Sequence, residues 1–240
     1  MAMKKMSKYT FSLALTILSL STWAQKADWH GLSLGADLSR IVVPFLDSTR
    51  LGWEVSGDYE ITKDLFGCVE IGSQTTHLNA PNYNYSSSGA YTRLGVDYNY
   101  MKHVDDKSPD QLLIGLRYGF TTFFHEANNI VVKNDVWGNM ENGSIERNWL
   151  SANWMEIVTG MRAHLFNNFY LGWSARFRVK LWFQDDPKMQ PYYIPGYGRG
   201  WNSSWIGFNY SLYYKIPIVK KRTPKVSDET NKENKADQTD

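Results

Sequence analysis

Between Phe169 and Phe183 hydrophobic and polar side chains alternate. Phe169, Leu171, Trp173, Ala175, Phe177, Val179, Leu181 and Phe183 fall on one side; Tyr170, Gly172, Ser174, Arg176, Arg178, Lys180 and Trp182 fall on the other. A strand sends successive side chains to opposite faces, so this stretch predicts a strand with one apolar and one cationic face. Soluble strands usually run for about 5–6 residues. A strand tilted across a bilayer needs about 9–11, with apolar side chains toward lipid and polar ones toward a lumen.

Seven further stretches repeat the pattern: residues 31–41, 51–61, 65–77, 90–101, 111–125, 150–165 and 201–216. In the second, Leu51, Trp53, Val55, Tyr59 and Ile61 oppose Glu54, Ser56, Asp58 and Glu60; in the fourth, Leu94, Val96, Tyr98 and Tyr100 oppose Tyr91, Arg93, Asp97 and Asn99. Polar turns at 62–64, 105–110 and 166–168 follow strands two, four and six. Loops rich in Asn, Ser, Gly, Pro and Tyr, at 79–89, 126–148 and 184–199, follow strands three, five and seven, and a shorter connection at 43–49 follows the first. An even strand count with short and long connections in turn predicts an all-β, eight-stranded antiparallel up-and-down transmembrane β-barrel, short turns periplasmic and long loops outside.

Composition changes this picture little. Mean hydropathy of −0.45 does not argue against a barrel, because half of every spanning strand is polar. The aromatic share of 15%, with 10 Trp and 15 Tyr, suits membrane interfaces. A net charge of +2 gives no electrostatic case for nucleic acid. One cysteine, Cys68, excludes an intramolecular disulfide or a multi-cysteine metal site. Lys4, Lys5 and Lys8, the apolar run at 11–20 and Thr22-Trp23-Ala24 predict a signal peptide over 1–24, cleaved near Ala24. The barrel is then expected over 25–217, and a charged, disordered periplasmic tail over 218–240. Both termini would be periplasmic and the location the outer membrane.

Candidate chemistry falls into three groups. Asp37, Glu54, Asp58, Glu70, Arg93, Asp97, Arg117, Glu156, Arg162, Arg176, Arg178 and Lys180 share the lumen-facing parity. Eight strands leave a bore only just wide enough for side chains, so these charges are expected to pair with one another. Such a bore suits a salt-bridged plug or, failing that, a narrow anion path or ligand pocket. Among the histidines, His125 and His164 face inward at opposite ends. His77, near Ser73 and Thr75 on the lipid-facing parity, lacks the acid that a lipid-modifying site would need. No catalytic, cofactor or metal residue is therefore expected. Tyr83, Tyr85, Trp137, Tyr192, Tyr193 and Tyr197 lie on or beside the long connections and are candidates for recognition; Trp201 and Trp205 suit an interfacial girdle.

Over residues 31–216 the strand pattern and the basic leader resemble the small eight-stranded outer-membrane barrels of Gram-negative bacteria, of the outer membrane protein A and X type. More narrowly, the chain looks like an uncharacterised family of small barrels with a charged tail. Some barrels of that kind serve as subunits of larger outer-membrane machines for barrel assembly or surface lipoproteins. The resemblance implies a non-enzymatic barrel set in outer-membrane lipid, with a protein partner in the outer membrane or on the cell surface. A narrow solute channel and an outer-leaflet lipid-modifying enzyme are the alternatives.

Overall fold

The computed structural model describes residues 31–101, 109–132 and 140–217. The expected signal peptide, the tail at 218–240, most of the turn at 105–110, and Trp137 lie outside the described residues. Eight long strands close into one antiparallel ring: β1 (Gly31–Asp37), β2 (Arg50–Thr62), β3 (Leu65–Ala80), β4 (Tyr83–Asn99), β5 (Gln111–Val132), β6 (Met140–Phe166), β7 (Phe169–Phe183) and β10 (Ser204–Pro217). Each strand pairs with its neighbour along the ring, and β10 pairs with both β7 and β1. A helix, α1 (Ser39–Leu46), follows β1, and a small hairpin of β8 (Tyr193–Ile194) and β9 (Gly198–Arg199) lies between β7 and β10.

Strand alternation becomes two surfaces. Leu34, Val55, Ile71, Leu94, Leu116, Ile157, Phe177 and Phe208, one from each barrel strand, are 44–64% exposed, so an apolar belt runs around the whole cylinder. Soluble monomers seldom expose a contiguous apolar patch beyond a few hundred Å². Tyr98, Tyr100, Phe166 and Tyr214 border the belt toward the end with the tight turns; Trp53, Trp149 and Trp182 border it toward the other end. Among the described residues no helix is long and apolar enough to cross a membrane, which says nothing of crossing by strands. At the turn end, Asp64 and Asn167 take positive φ (67° and 49°), a conformation that Asp and Asn tolerate in tight turns.

Several expected boundaries are corrected. Residues 79–89 are not a loop: β3 and β4 stay paired to Ala80 and Tyr83 and turn at Pro81-Asn82. The composition of 83–89 conceals a period of two, with Tyr85 and Ser87 inward and Ser86 and Ser88 less buried. Likewise β5 and β6 continue in imperfect register to Val132 and Met140, through much of the expected loop at 126–148. Backbone pairing outlasts hydrophobic contrast once a strand leaves the belt. The first strand ends at Asp37 rather than 41, because the Asp37 carboxylate accepts the Ser39 amide (2.8 Å) and turns the chain into α1. Strict alternation predicts Trp182 inward, but Leu181 is an extra residue opposite the Asn153–Trp154 step of β6. This bulge leaves both Leu181 and Trp182 exposed and returns Phe183 to the interior.

The connection from β7 to β10 is not a free loop at its core. It folds back into the barrel mouth, where Ile194 and Tyr197 are fully buried against Tyr91, Phe123, Leu150 and Trp154, with Phe183 and Trp205 beside them. Trp205 thus packs inside, not in a girdle. Gly196 makes the fit: its φ is +78°, and a Cβ there would lie 2.6 Å from Cγ of Tyr91. Asp186 fastens the start of the connection. Its Oδ2 meets His125 Nε2 and accepts from Asn148 Nδ2, both at 2.9 Å, and its Oδ1 accepts the Lys188 amide at 2.9 Å. Burial pushes the Asp186 carboxyl up, but these donors outweigh it and hold the group down at about 2.

A free Asp titrates near 3.9 or so, about the usual carboxylate value. Because the folded value is depressed, the stabilisation from Asp186 is fully present above about pH 4 and is lost as pH falls from there through about 2. Pepsin cleavage of the 184–203 segment should therefore accelerate across that window in the wild type. In Asp186→Asn the segment should be cut about tenfold faster at pH 4, consistent with losing a charge-assisted bond, and should show little further change on acidification. Equal cleavage of the two proteins at pH 4 would show that Asp186 does not fasten the segment.

Candidate functional site

The barrel interior is a lattice of ion pairs, built because every second residue of the spanning strands points inward. Toward the turn end, Arg162 meets Asp58 at 2.6 Å and lies over the Tyr213 ring at 3.9 Å. Asp97 receives two guanidinium nitrogens of Arg117, at 2.6 and 2.7 Å, and contacts the Cys68 thiol at 3.2 Å. At mid-height Glu70 gathers three arginines from three other strands: Arg176 in a bidentate pair, Arg93 at 2.8 Å and Arg117 at 3.4 Å. Higher still, Glu54 is shared by Arg93 (3.0 Å), Arg40 (3.1 Å) and the Tyr91 hydroxyl, which donates at 2.6 Å. Glu156 is shared by Arg93 (2.9 Å), Arg178 (3.1 Å) and Arg176 (3.6 Å), and accepts from the Trp154 indole at 2.6 Å. Asp37 is held by Asn209 and by Arg40.

The folded-in connection caps this lattice through its carbonyl groups. Arg93 donates to the Gly196 carbonyl at 2.8 Å, Arg178 to that of Tyr197 at 3.0 Å and Lys180 to that of Gly200 at 2.7 Å. A void bordered by Glu70, Arg117, Arg162, Arg176 and Tyr213 measures about 20 Å³, room for about one water. All twelve residues expected to face the lumen thus lie in the interior, eleven of them buried and Lys180 half-buried at the mouth. Arg40, Tyr91, Trp154 and Asp186 complete the arrangement and are not among the residues the sequence singles out. Tyr91 and Trp154 carry a signal in hindsight, as large aromatics on the polar parity of their strands; Arg40 and Asp186 carry none, because they belong to connections.

Metal binding has one geometric candidate among the described residues. Asp58, Cys68 and Asp97 place ligand atoms within 4.8 Å of one another. Arg162 and Arg117 already neutralise the two carboxylates, so guanidinium groups occupy the electrostatic role a cation would take. The histidines stay apart. His77 is exposed and its ring has no carboxylate partner among the described residues. His164 contacts the Asn167 carbonyl at 2.7 Å at the turn end. His125 lies fully buried at the far end, across the β4–β5 pair from Ser87, with Asp186 on its Nε2. Ser87 Oγ and His125 Nδ1 do not bond to each other, and both residues are buried; the bond from His125 to Asp186 fastens the connection.

The aromatic candidates for loop recognition are largely redirected. Tyr85, Tyr193 and Tyr197 are buried: Tyr85 accepts the Tyr192 amide at 3.2 Å, and the Tyr193 hydroxyl accepts from Arg50 at 2.7 Å. Tyr83 and Tyr192 are half-buried, and Tyr192 packs edge-on to Trp201. The connection carries Tyr192, Tyr193 and Tyr197 and turns Tyr197 inward, against Tyr91 and Trp154 of the barrel wall.

Comparison with solved structures returns small outer-membrane proteins. A major outer membrane protein from Thermus thermophilus is 13% identical, with a TM-score of 0.47 over 80% of this chain and 100% of its own. Ail, the attachment invasion locus protein of Yersinia pestis, is 9% identical, with a TM-score of 0.41 over 79% of this chain and 100% of its own. Neisserial surface protein A is 11% identical, with a TM-score of 0.38 over 80% of this chain and 98% of its own. No curated protein sequence matches the chain. A family model does, across residues 6–221, and the chain accordingly belongs to the family described as Domain of unknown function (DUF6048).

Proposed function

We propose that the protein is an integral outer-membrane barrel with a closed lumen, acting without catalysis as a structural or accessory subunit for other outer-membrane or surface proteins. The apolar belt supports the membrane setting: lipid is the solvent that suits a half-exposed Leu, Ile or Phe on every strand. Closure of the bore rests on one observation, the convergence of Arg93, Arg117 and Arg176 on Glu70 at mid-height, with the folded-in connection above it. With the buried aromatics unavailable, recognition of a partner falls to exposed apolar groups near the mouth, such as Phe45 of α1 at 86% exposure and Trp201. The expected leader and tail orient the barrel, with both termini in the periplasm and the folded-in connection at the outer mouth.

An anion channel is the competing function, favoured by the excess of arginine near the mouth. Planar bilayers separate the two: the wild-type protein should give no steady single-channel current, and reproducible anion-selective steps would refute the closed lumen. Glu70→Gln should lower folding stability by about 3–5 kcal/mol, because it strands buried guanidinium charge. Adding Arg176→Met should recover part of that loss, read as the urea midpoint of the folded band on unboiled gels. An unchanged midpoint in Glu70→Gln would remove the lattice from the account of stability. Mild-detergent purification from the native membrane should recover a stoichiometric outer-membrane or surface protein, lost on Phe45→Asp; a barrel that purifies alone would count against the accessory role.

A further inference from the structure

Above the ion lattice, between α1 and the β8–β9 hairpin, lies a cavity of about 310 Å³. Ligand pockets for small molecules begin at about 300 Å³. Its wall carries four guanidinium groups, Arg40, Arg50, Arg178 and Arg199, and a single carboxylate, Asp47. The partners of these cations are few and shared. Arg50 takes Asp47 at 2.7 Å. Arg40 meets Asp37 at 3.5 Å and shares Glu54 with Arg93, and Arg178 shares Glu156 with Arg93 and Arg176. Arg199 is exposed, lies over Trp201 and Trp205, and has no carboxylate partner among the described residues. The backbone makes room for this charge: a Cβ at Gly207 would lie 2.9 Å from Nη1 of Arg178.

We propose that this cavity binds an anionic sugar, a ring of monosaccharide size carrying a phosphate or carboxylate. Guanidinium forks are the groups best suited to bind phosphate and carboxylate oxygens in pairs. Tyr192 and Trp205, both half-buried, supply flat walls for the body of a ring, and Ser39, Gln74 and Asn209 add polar groups to the lining. A bare inorganic anion would leave most of the volume unused. The site does not depend on whether the bore beneath it conducts, so it stands or falls separately from the closed lumen.

Isothermal titration of the full-length protein in detergent tests this with glucose 1-phosphate, glucuronate, glucose and inorganic phosphate. At least one of the two anionic sugars should bind saturably at one per barrel, more weakly as salt rises, while glucose gives no heat. Arg199→Ala combined with Arg50→Gln should weaken binding at least tenfold, with an unchanged folded band on unboiled gels. Failure of both anionic sugars to bind, undiminished binding by the double variant, or equal binding of inorganic phosphate would each overturn the proposal. Vesicles bearing a phosphorylated glycolipid distinguish the source: competition with the soluble sugar identifies a membrane headgroup, and its absence identifies a free solute.

Discussion

Charge buried in a narrow bore must be matched by charge from the opposite wall, and the rest of this structure depends on that requirement. Eight strands enclose too little room for bulk water, so Glu70 is solvated by Arg93, Arg117 and Arg176, contributed by β4, β5 and β7. Removing one member of a buried pair costs far more than the pair contributes, because the survivor keeps its desolvation penalty. The lattice therefore acts on register. Sliding β3 by two residues would bring Cys68 or Gly72 to the height of Glu70 and take from Arg93, Arg117 and Arg176 the one carboxylate all three share. Alternation keeps each side chain on its proper face, and the ion pairs select among the registers that alternation allows.

The outer and inner faces are stabilised by different means on the same backbone. Outside, Leu116 and Ile157 lie side by side on adjacent strands with nothing polar to satisfy. Inside, one residue along, Arg117 and Glu156 are register partners that find their ion pairs on other strands, Arg117 with Glu70 and Asp97, Glu156 with Arg93, Arg176 and Arg178. Where the two arrangements meet, at the mouth, Tyr91, Phe123, Trp154, Ile194 and Tyr197 form an apolar cap over the ions. Excluding water above the lattice lowers the local dielectric, which strengthens each pair and makes any unpaired group costlier. The carbonyls of Gly196, Tyr197 and Gly200 supply the acceptors that the shared carboxylates lack.

What the sequence discloses follows from which interactions are local. β7 is legible almost from end to end because its alternation of Phe177 and Val179 with Arg176 and Arg178 is strong, and one bulge at Leu181 suffices to misplace Trp182. The inward set from Asp37 to Lys180 is legible for the same reason. Parity does not say who pairs with whom, so the meeting of Glu70 with Arg176, 106 positions apart, is not legible. Nor is α1: Ile41, Val42 and Val43 are β-branched, and their helix depends on a turn set by Asp37. Tyr197 and Asp186 read as loop residues from the Pro- and Gly-rich composition around them. That same composition lets the connection bend into the mouth, with Gly196 at positive φ against Tyr91.

The lattice is also polarised along the bore. Asp58 and Asp97 lie toward the turn end with Arg117 and Arg162, whereas Arg40, Arg93, Arg176, Arg178 and Lys180 crowd the upper half, where Glu54 and Glu156 are each claimed more than once. A cleft lined by one sign of charge concentrates counter-ions, so the mouth draws anions in. Beneath the mouth the Tyr91–Trp154 layer covers Arg93 and Arg176, and Glu70 is a carboxylate already shared by three arginines. On the proposed closed lumen, an anion held at the mouth has no empty cationic site beneath it among the described residues. Conduction requires sites that release as readily as they bind, arranged in series. A positive mouth above the proposed plug fits retention of an anion better than its passage.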